Sequence, residues 1–277
     1  MMVFPYDESR LMVVLQIDHS RVAGLLAAHW GNAEFAEPTP YASVVLAAQE
    51  HDNGWWDWEI KPTLNERGEP IDYITGGGVD RPTHTAFDRN GIDRVAMRDP
   101  YAALLVSLHL AGLNNQGWGL VPHMADRTSL PSVPEFMSDQ EALRTRLLDD
   151  LRRSPEYAEH CLQDRLWTNY RLIEVADQMA QFICNRYPFN STERRNGPPS
   201  TLPHVPVGPG QEETTLTLDV QDESHAIVRP YPFDVDPLVV PYQARLVPRR
   251  HYASQDEFLC HYYKAERLPV TYTLHAA

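Results

Sequence analysis

Ala47-Ala48-Gln49-Glu50-His51-Asp52-Asn53-Gly54-Trp55 reads as the small-residue end of a helix, with an adjacent histidine and aspartate set against a turn. Thr39 and Pro40 open this helix as cap and first helical residue, and Gly54 stops it. Val44, Ala47, Ala48 and His51 share one side, where the alanines let a neighbouring helix approach closely. Successive helical residues point about 100° apart, so His51 and Asp52 can share one ion only at the edge of a buried face or near a helix end. Gly54 places them at such an end. Trp55, Trp56 and Trp58 follow, so large rings are expected beside the pair.

Upstream, Leu11 to Leu15 is a short β-branched run that reads as a strand within residues 1–16. Asp18 is placed to cap a helix from His19 to Trp30, with His19, Val22, Ala23, Leu26 and Trp30 on one face. Downstream, residues 59–81 are turn-rich and read as a surface excursion that can serve as a lid. Gly76-Gly77-Gly78 lacks the Lys-Ser/Thr ending of a phosphate loop. A short helix is expected from Thr83 to Asn90, starting beside His84, with Gly91 as its stop. Asp99-Pro100 caps an apolar helix, Tyr101 to Leu113, that turns His109 inward. Ser138 and Glu141 form a capping box for a polar helix ending near Arg153, and a long helix follows from Glu156 to Arg186. On its apolar stripe, between Ile173 and Ala180, sits Asp177, a carboxylate that is costly to bury without a partner.

Residues 189–212, rich in proline, read as a linker or surface arm, and 213–277 as a β-rich subdomain interrupted by one short helix capped by Ser254 with Glu257. The expected architecture is mainly α: a helical bundle over 17–188, with a small antiparallel β layer from the N- and C-terminal strands, α+β overall.

A chain of 277 residues buries one substantial core, or one core with a satellite. Its net charge of −14, with Lys61 and Lys264 as the only lysines, repels nucleic acid and anionic membrane. Cys161, Cys184 and Cys260 lack the paired spacing of zinc or redox motifs and read as reduced thiols in a cytoplasm. No basic n-region followed by an apolar run opens the sequence and no apolar run reaches membrane-spanning length, so the chain is expected to be soluble and unexported and the sequon at Asn190 to be idle. There is no Gly-x-Ser-x-Gly elbow. The expected partner is a small molecule, phosphorylated or not, with self-association left open.

His19, His51, Asp52, His109 and Asp177 fall on inward faces of different helices, with His84 beside them. A lone helix histidine is usually a core or surface residue. Several imidazoles and carboxylates on facing helices are how bundles build metal sites. Ligands of nitrogen and oxygen without thiolate suit iron, manganese, cobalt, nickel, magnesium or zinc.

The order His19, His51-Asp52, Asp177 resembles the HD superfamily of metal-dependent phosphohydrolases. The phrases QIDHSRVAGLLAAHW, AAQEHDNGW, RDPYAALLVSLH and NYRLIEVADQMA are similar to an uncharacterised bacterial domain-of-unknown-function family, DUF 3891. The superfamily resemblance implies an HD-like bundle and one metal on His19, His51, Asp52 and Asp177. It also implies a second metal on His84 and His109, with Asp52 bridging. It implies hydrolysis of a small phosphate ester or nucleotide. Di-iron oxygen chemistry on a small organic substrate, as in some two-metal members, and non-catalytic ligand binding are the alternatives. In a phosphohydrolase, Arg21 would hold a phosphate or stay an exposed arginine, and Glu50 beside the catalytic Asp52 would move a proton or remain a solvated surface acid. Trp55 and Trp56 would stack on a base or sugar, or serve in packing.

Overall fold

The computed structural model describes residues 1–73, 79–121, 124–185 and 201–277. Seven strands form one sheet: β1 (Met2–Pro5), β2 (Arg10–Val14), β3 (Thr201–Val205), β4 (Thr214–Val220), β5 (His225–Arg229), β6 (Leu238–Pro248) and β7 (Glu266–His275). Their order is β1-β2-β6-β7-β5-β4-β3. All neighbours pair antiparallel except β5 and β7, which run parallel, His225 opposite Thr273. Buried and exposed residues alternate along most of β6, the signature of a strand with one face on a core.

The helices are α1 (Gln16–Ala28), α2 (Tyr41–Glu50), the single turn α3 (Trp56–Glu59), α4 (Arg81–Ala96), α5 (Pro100–Gly112), α6 (Val133–Leu151), α7 (Gln163–Asn185) and α8 (Gln255–Lys264). α1 packs on β6, and α7 on β1 and β3, while α2 and α5 pack against α1 and α7 in turn. One apolar core runs from Leu105 and Val106 of α5 through Ile173, Met179 and Phe182 of α7 to Leu216, Val240 and Tyr272 of the sheet. Burying each such side chain contributes roughly 1.5–3 kcal/mol, so the helices and the sheet stabilise one another. Among the described residues no helix is long and apolar enough to cross a membrane.

This is an α+β fold with a seven-stranded, mixed, curled sheet, and it corrects the expectation of a mainly helical, HD-like bundle with a small antiparallel layer. The sheet is larger because β3 lies inside the proline-rich stretch read as a linker, with Pro203 tolerated on the sheet's edge, and because β1 is too short to show a period. Residues 186–200, which include the sequon and the first part of that stretch, lie outside the described residues, as does Gly76-Gly77-Gly78.

Asp99 caps α5 as expected, accepting from the amides of Tyr101 and Ala102 at 2.8 and 2.9 Å. Ser254 caps α8. Asp18 does not cap α1. The helix starts earlier, at Gln16, and its first amide is satisfied from far along the chain, by Glu59 Oε1 at 2.6 Å. Asp18 sits within the first turn and pairs with Arg21. The Glu59 carbonyl accepts from the Tyr262 hydroxyl at 2.8 Å, tying α1, α3 and α8 together.

Gly91 does not stop α4, which continues to Ala96. It is small for another reason. A Cβ at Gly91 would lie 2.9 Å from the Gly54 amide nitrogen, and one at Gly54 would lie 2.2 Å from the Phe87 carbonyl oxygen. The two glycines let α4 lie directly on the turn after His51-Asp52. Gly54→Ala is therefore expected to lower stability by about 1–3 kcal/mol, as overpacking does. Denaturant midpoints at unchanged m-value measure it, and a neutral result would show that α4 is not held by this contact.

Candidate metal centre

Four segments deliver the polar cluster. α1 places His19 in its first turns and α5 places His109 in its last turn, while α7 presents Asp177 from its middle. The His51-Asp52 pair follows the last residue of α2, where the chain enters a 3₁₀ turn at Asn53–Trp55. All five are buried, His19 and His109 completely. The imidazoles form a row, His19 edge-on to His51 at 5.3 Å between ring centres and His51 edge-on to His109 at 5.1 Å.

Donor atoms converge on the aspartates. His19 Nε2 lies 2.8 Å from Asp177 Oδ1, with His51 Nε2 3.5 Å from the same oxygen. His51 Nε2 and His19 Nε2 approach Asp52 Oδ2 at 3.4 and 3.8 Å, and His109 Nε2 reaches Asp177 Oδ2 at 3.6 Å. One ligand atom from each of His19, His51 and Asp177 falls within 4.8 Å of the others. Cis ligands on an ion with bonds of about 2.1 Å lie roughly 3 Å apart, so this group is of the right size for one ion.

The ring nitrogens test the fit. His51 Nδ1 is 2.7 Å from the Ala48 carbonyl, which can only accept, so Nδ1 carries a proton and Nε2 is the nitrogen that faces the cluster, where an ion would take the place of the proton that the two carboxylates favour there. Among the described residues Nε2 has no hydrogen-bond partner, and neither nitrogen of His109 has one. Buried polar atoms left alone cost about 1–3 kcal/mol each, and an ion would answer His51 Nε2 and one nitrogen of His109 together. The residues fit a metal.

The carboxylates shape the titration. Burial opposes charging His51, but Asp52 and Asp177 outweigh it and raise the ring well above its ordinary range. Burial would raise both aspartates, yet the imidazoles hold Asp177 well below the usual range and lower Asp52 as well. His109, farther from the charges, is pushed down by burial to about 4.

The cluster opens into a cavity of about 530 Å³, lined by Asp52, Asp177, Trp55, Tyr73, His84 and Asp88 among others. His84 is in this cavity but apart from the three-residue group. Its Nδ1 accepts from Arg81 Nη1 at 2.7 Å, which puts the proton of a neutral ring on Nε2, 3.7 Å from Asp88 Oδ1. Burial, and then the Arg81 charge, lower His84 to about 4. Arg21 and Glu50 lie elsewhere, lining a separate groove of about 440 Å³ with Trp56, where Glu50 meets Arg98 at 2.7 Å and Arg21 meets Asp18 at 2.9 Å. Trp55 packs on His84, ring centres 4.7 Å apart, whereas Trp56 is half exposed.

Sequence reading missed Asp88, Tyr73, Arg81 and Arg127 in the cavity wall. Asp88 had a signal, being four residues beyond His84 on one helix face. Burial first, then the Asp52 charge, lifts its carboxyl to about 8. Tyr73 had none, because it lies in aperiodic text. Burial and the charges of Asp177 and Asp52 raise its phenol well above the ordinary range, and Gln16 hydrogen-bonds to it.

The family described as "Protein of unknown function (DUF3891)" matches residues 2–249, from β1 to beyond the end of β6 and across every residue of the cluster. The chain belongs to the DUF3891 family. No curated protein and no solved structure matches this DUF3891 chain.

Elemental analysis of the purified DUF3891 protein is expected to find a transition metal bound to the wild type and to Asp88→Asn, and lost from Asp177→Ala. Removing an ion held at about 100 times its Kd costs about 2.7 kcal/mol of stability, so a chelator should lower the unfolding midpoint. Folded wild-type protein that stays metal-free under every loading condition would show that the five residues form only a buried ion-pair network.

Proposed function

We propose that this protein is a metal-dependent hydrolase of a small phosphate ester or nucleotide, supplying its ligands in the manner of HD-type phosphohydrolases. His19, His51 and Asp177 would hold the ion, with Asp52 and His109 beside it. The observation that carries this reading is the buried, unpartnered Nε2 of His51, whose Nδ1 is committed to Ala48. It lies 3.4 and 3.5 Å from Asp52 and Asp177, so an ion that displaced its proton would meet ring and carboxylates together.

A divalent ion in such a site polarises a phosphoryl oxygen and acidifies water. The chain supplies the rest. Tyr73, kept protonated by burial and by the two carboxylates, is a hydrogen-bond donor for charge that develops on a reacting oxygen. Trp55 packs on His84 and walls the cavity, which narrows the access of bulk water. Asp52, whose carboxylate is close to both His19 and His51, would orient the imidazoles as well as offering an oxygen.

Protein loaded separately with manganese, iron, cobalt and zinc is to be assayed on p-nitrophenyl phosphate, its diester and a nucleotide panel. Phosphate release is expected with at least one metal, under strict anaerobiosis as well as in air. EDTA should abolish it, and Asp52→Asn should lower it by about 10- to 100-fold or more. Folded, metal-loaded protein that releases phosphate from none of these esters, or an Asp52→Asn variant of full activity, would overturn the assignment.

A further inference from the structure

The cavity beside the metal cluster has a second chemical end. Arg81, the first residue of α4, and Arg127, in the segment between α5 and α6, both line it and are both half-buried. Each is anchored by one contact and keeps its other donors. Arg81 Nη1 donates to His84 Nδ1 at 2.7 Å. Arg127 Nη1 donates to the Leu113 carbonyl at 2.7 Å, and its backbone amide to the Asn114 carbonyl at 2.9 Å, so the guanidinium is fixed to the end of α5. A guanidinium has five N–H donors, leaving most of them to a ligand.

Among the described residues neither arginine has a carboxylate oxygen within 4.0 Å. The contrast with the neighbouring groove is instructive: there Arg21, Arg94 and Arg98 each close onto an acid, Asp18, Asp57 and Glu50. The two cavity arginines also feel each other, since burial and then the Arg81 charge lower the Arg127 pKa. The acid that both feel in this cavity is the buried Asp88, whose carboxyl burial lifts to about 8, so two partly desolvated cations are left with charge that an anion between them would answer.

Two further atoms in the lining of this cavity are unanswered among the described residues. Among the described residues Gln16 Oε1 and Asn114 Oδ1 are buried acceptors with no donor, the Gln16 contact to Tyr73 being made by the donating amide nitrogen, and both residues line the cavity. Asn114 Nδ2 is committed to the Leu110 carbonyl at 2.9 Å, which orients the amide and leaves Oδ1 for a partner. Acceptors of this kind call for hydroxyl or N–H donors on the ligand.

We infer that Arg81 and Arg127 form an oxyanion seat that works without the metal. Gln16 and Asn114 accept from hydroxyls beside it, so the ligand is a small, hydroxyl-bearing molecule carrying a phosphate. A dianion matches two guanidiniums, each able to grip two oxygens, better than a single carboxylate does. The inference rests on the reading of the cavity as the substrate chamber of the metal centre, but the seat itself is testable apart from it.

The test is a calorimetric titration of inorganic phosphate into full-length protein at constant ionic strength, before and after EDTA treatment, with acetate as the monoanion control. Phosphate is expected to bind EDTA-treated wild type and to bind more tightly than acetate. An Arg81→Gln/Arg127→Gln double variant should lose about ten-fold or more in phosphate affinity while its metal content is unchanged. Should the double variant unfold, Arg81→Lys and Arg127→Lys, which keep charge but lose the fork, are read instead, and a weaker phosphate affinity in each supports the seat. Glycerol 3-phosphate should bind more tightly than phosphate, an advantage that Asn114→Ala removes. Phosphate affinity unchanged in the arginine variants, or abolished by EDTA in wild type, overturns the seat and leaves the metal-dependent reading standing. Phosphate binding at the arginines in protein that takes up no metal does the reverse.

Discussion

The buried carboxylate of Asp177 is the constraint on which the structure turns. It stands in the middle of α7, the helix that packs against α1, α2 and α5 on one side and the sheet on another. Burying an unpaired carboxylate costs several kcal/mol, enough to cancel the gain from two or three apolar neighbours. α7 can therefore bury its stripe only if something answers that charge. His19 does so at 2.8 Å, with His51 and His109 close behind, which requires α1, the end of α2 and α5 to arrive together. The polar cluster and the apolar core are thus parts of one packing solution, and an ion with two or three positive-charge equivalents to share is the simplest way to satisfy the ring nitrogens that remain.

The second constraint is the turn that follows His51-Asp52. It is held from below by α4 at the Gly54–Gly91 contact, and from the side by Trp55 and Trp58 in a small apolar cluster with Tyr252, Phe258 and Tyr262. Glu59, at the end of the same segment, caps α1 close to His19. One stretch of nine residues, His51 to Glu59, therefore sets both the pair and the start of the helix that opposes it. The same contact brings α4 across the cluster, and with it Arg81, His84 and Asp88 into the cavity wall. The chemistry of the cavity follows from where two glycines allow a helix to lie.

His19, His51, Asp52, His109 and Asp177 were legible because each interrupts or ends an apolar helical stripe, and a period of 3.6 shows which way such a residue faces. Arg21 and Glu50 were chosen for nearness along the chain, and that is a poor guide: on a helix, neighbours in sequence point to different faces, so these two line another groove. Asp88 lay inside the expected helix, one turn beyond His84, but a polar, weakly periodic segment did not show that this face is buried. Tyr73 and Arg127 come from aperiodic segments whose position only long-range contacts decide.

By itself, the sequence determined the helical stripes, the caps at Asp99 and Ser254, the alternation of the C-terminal strands and the set of imidazoles and carboxylates that must be buried. These are local properties, set by spacing and by backbone hydrogen bonding within a few residues. Only the tertiary structure decided the sheet, because β2 pairs with β6 across more than two hundred residues of intervening chain and β5 joins β7 in parallel. It also decided that His84 answers to Arg81, that Glu59 caps α1, and that two arginines face one cavity. Those outcomes depend on which surfaces meet when the core closes, and no period in the chain encodes the meeting.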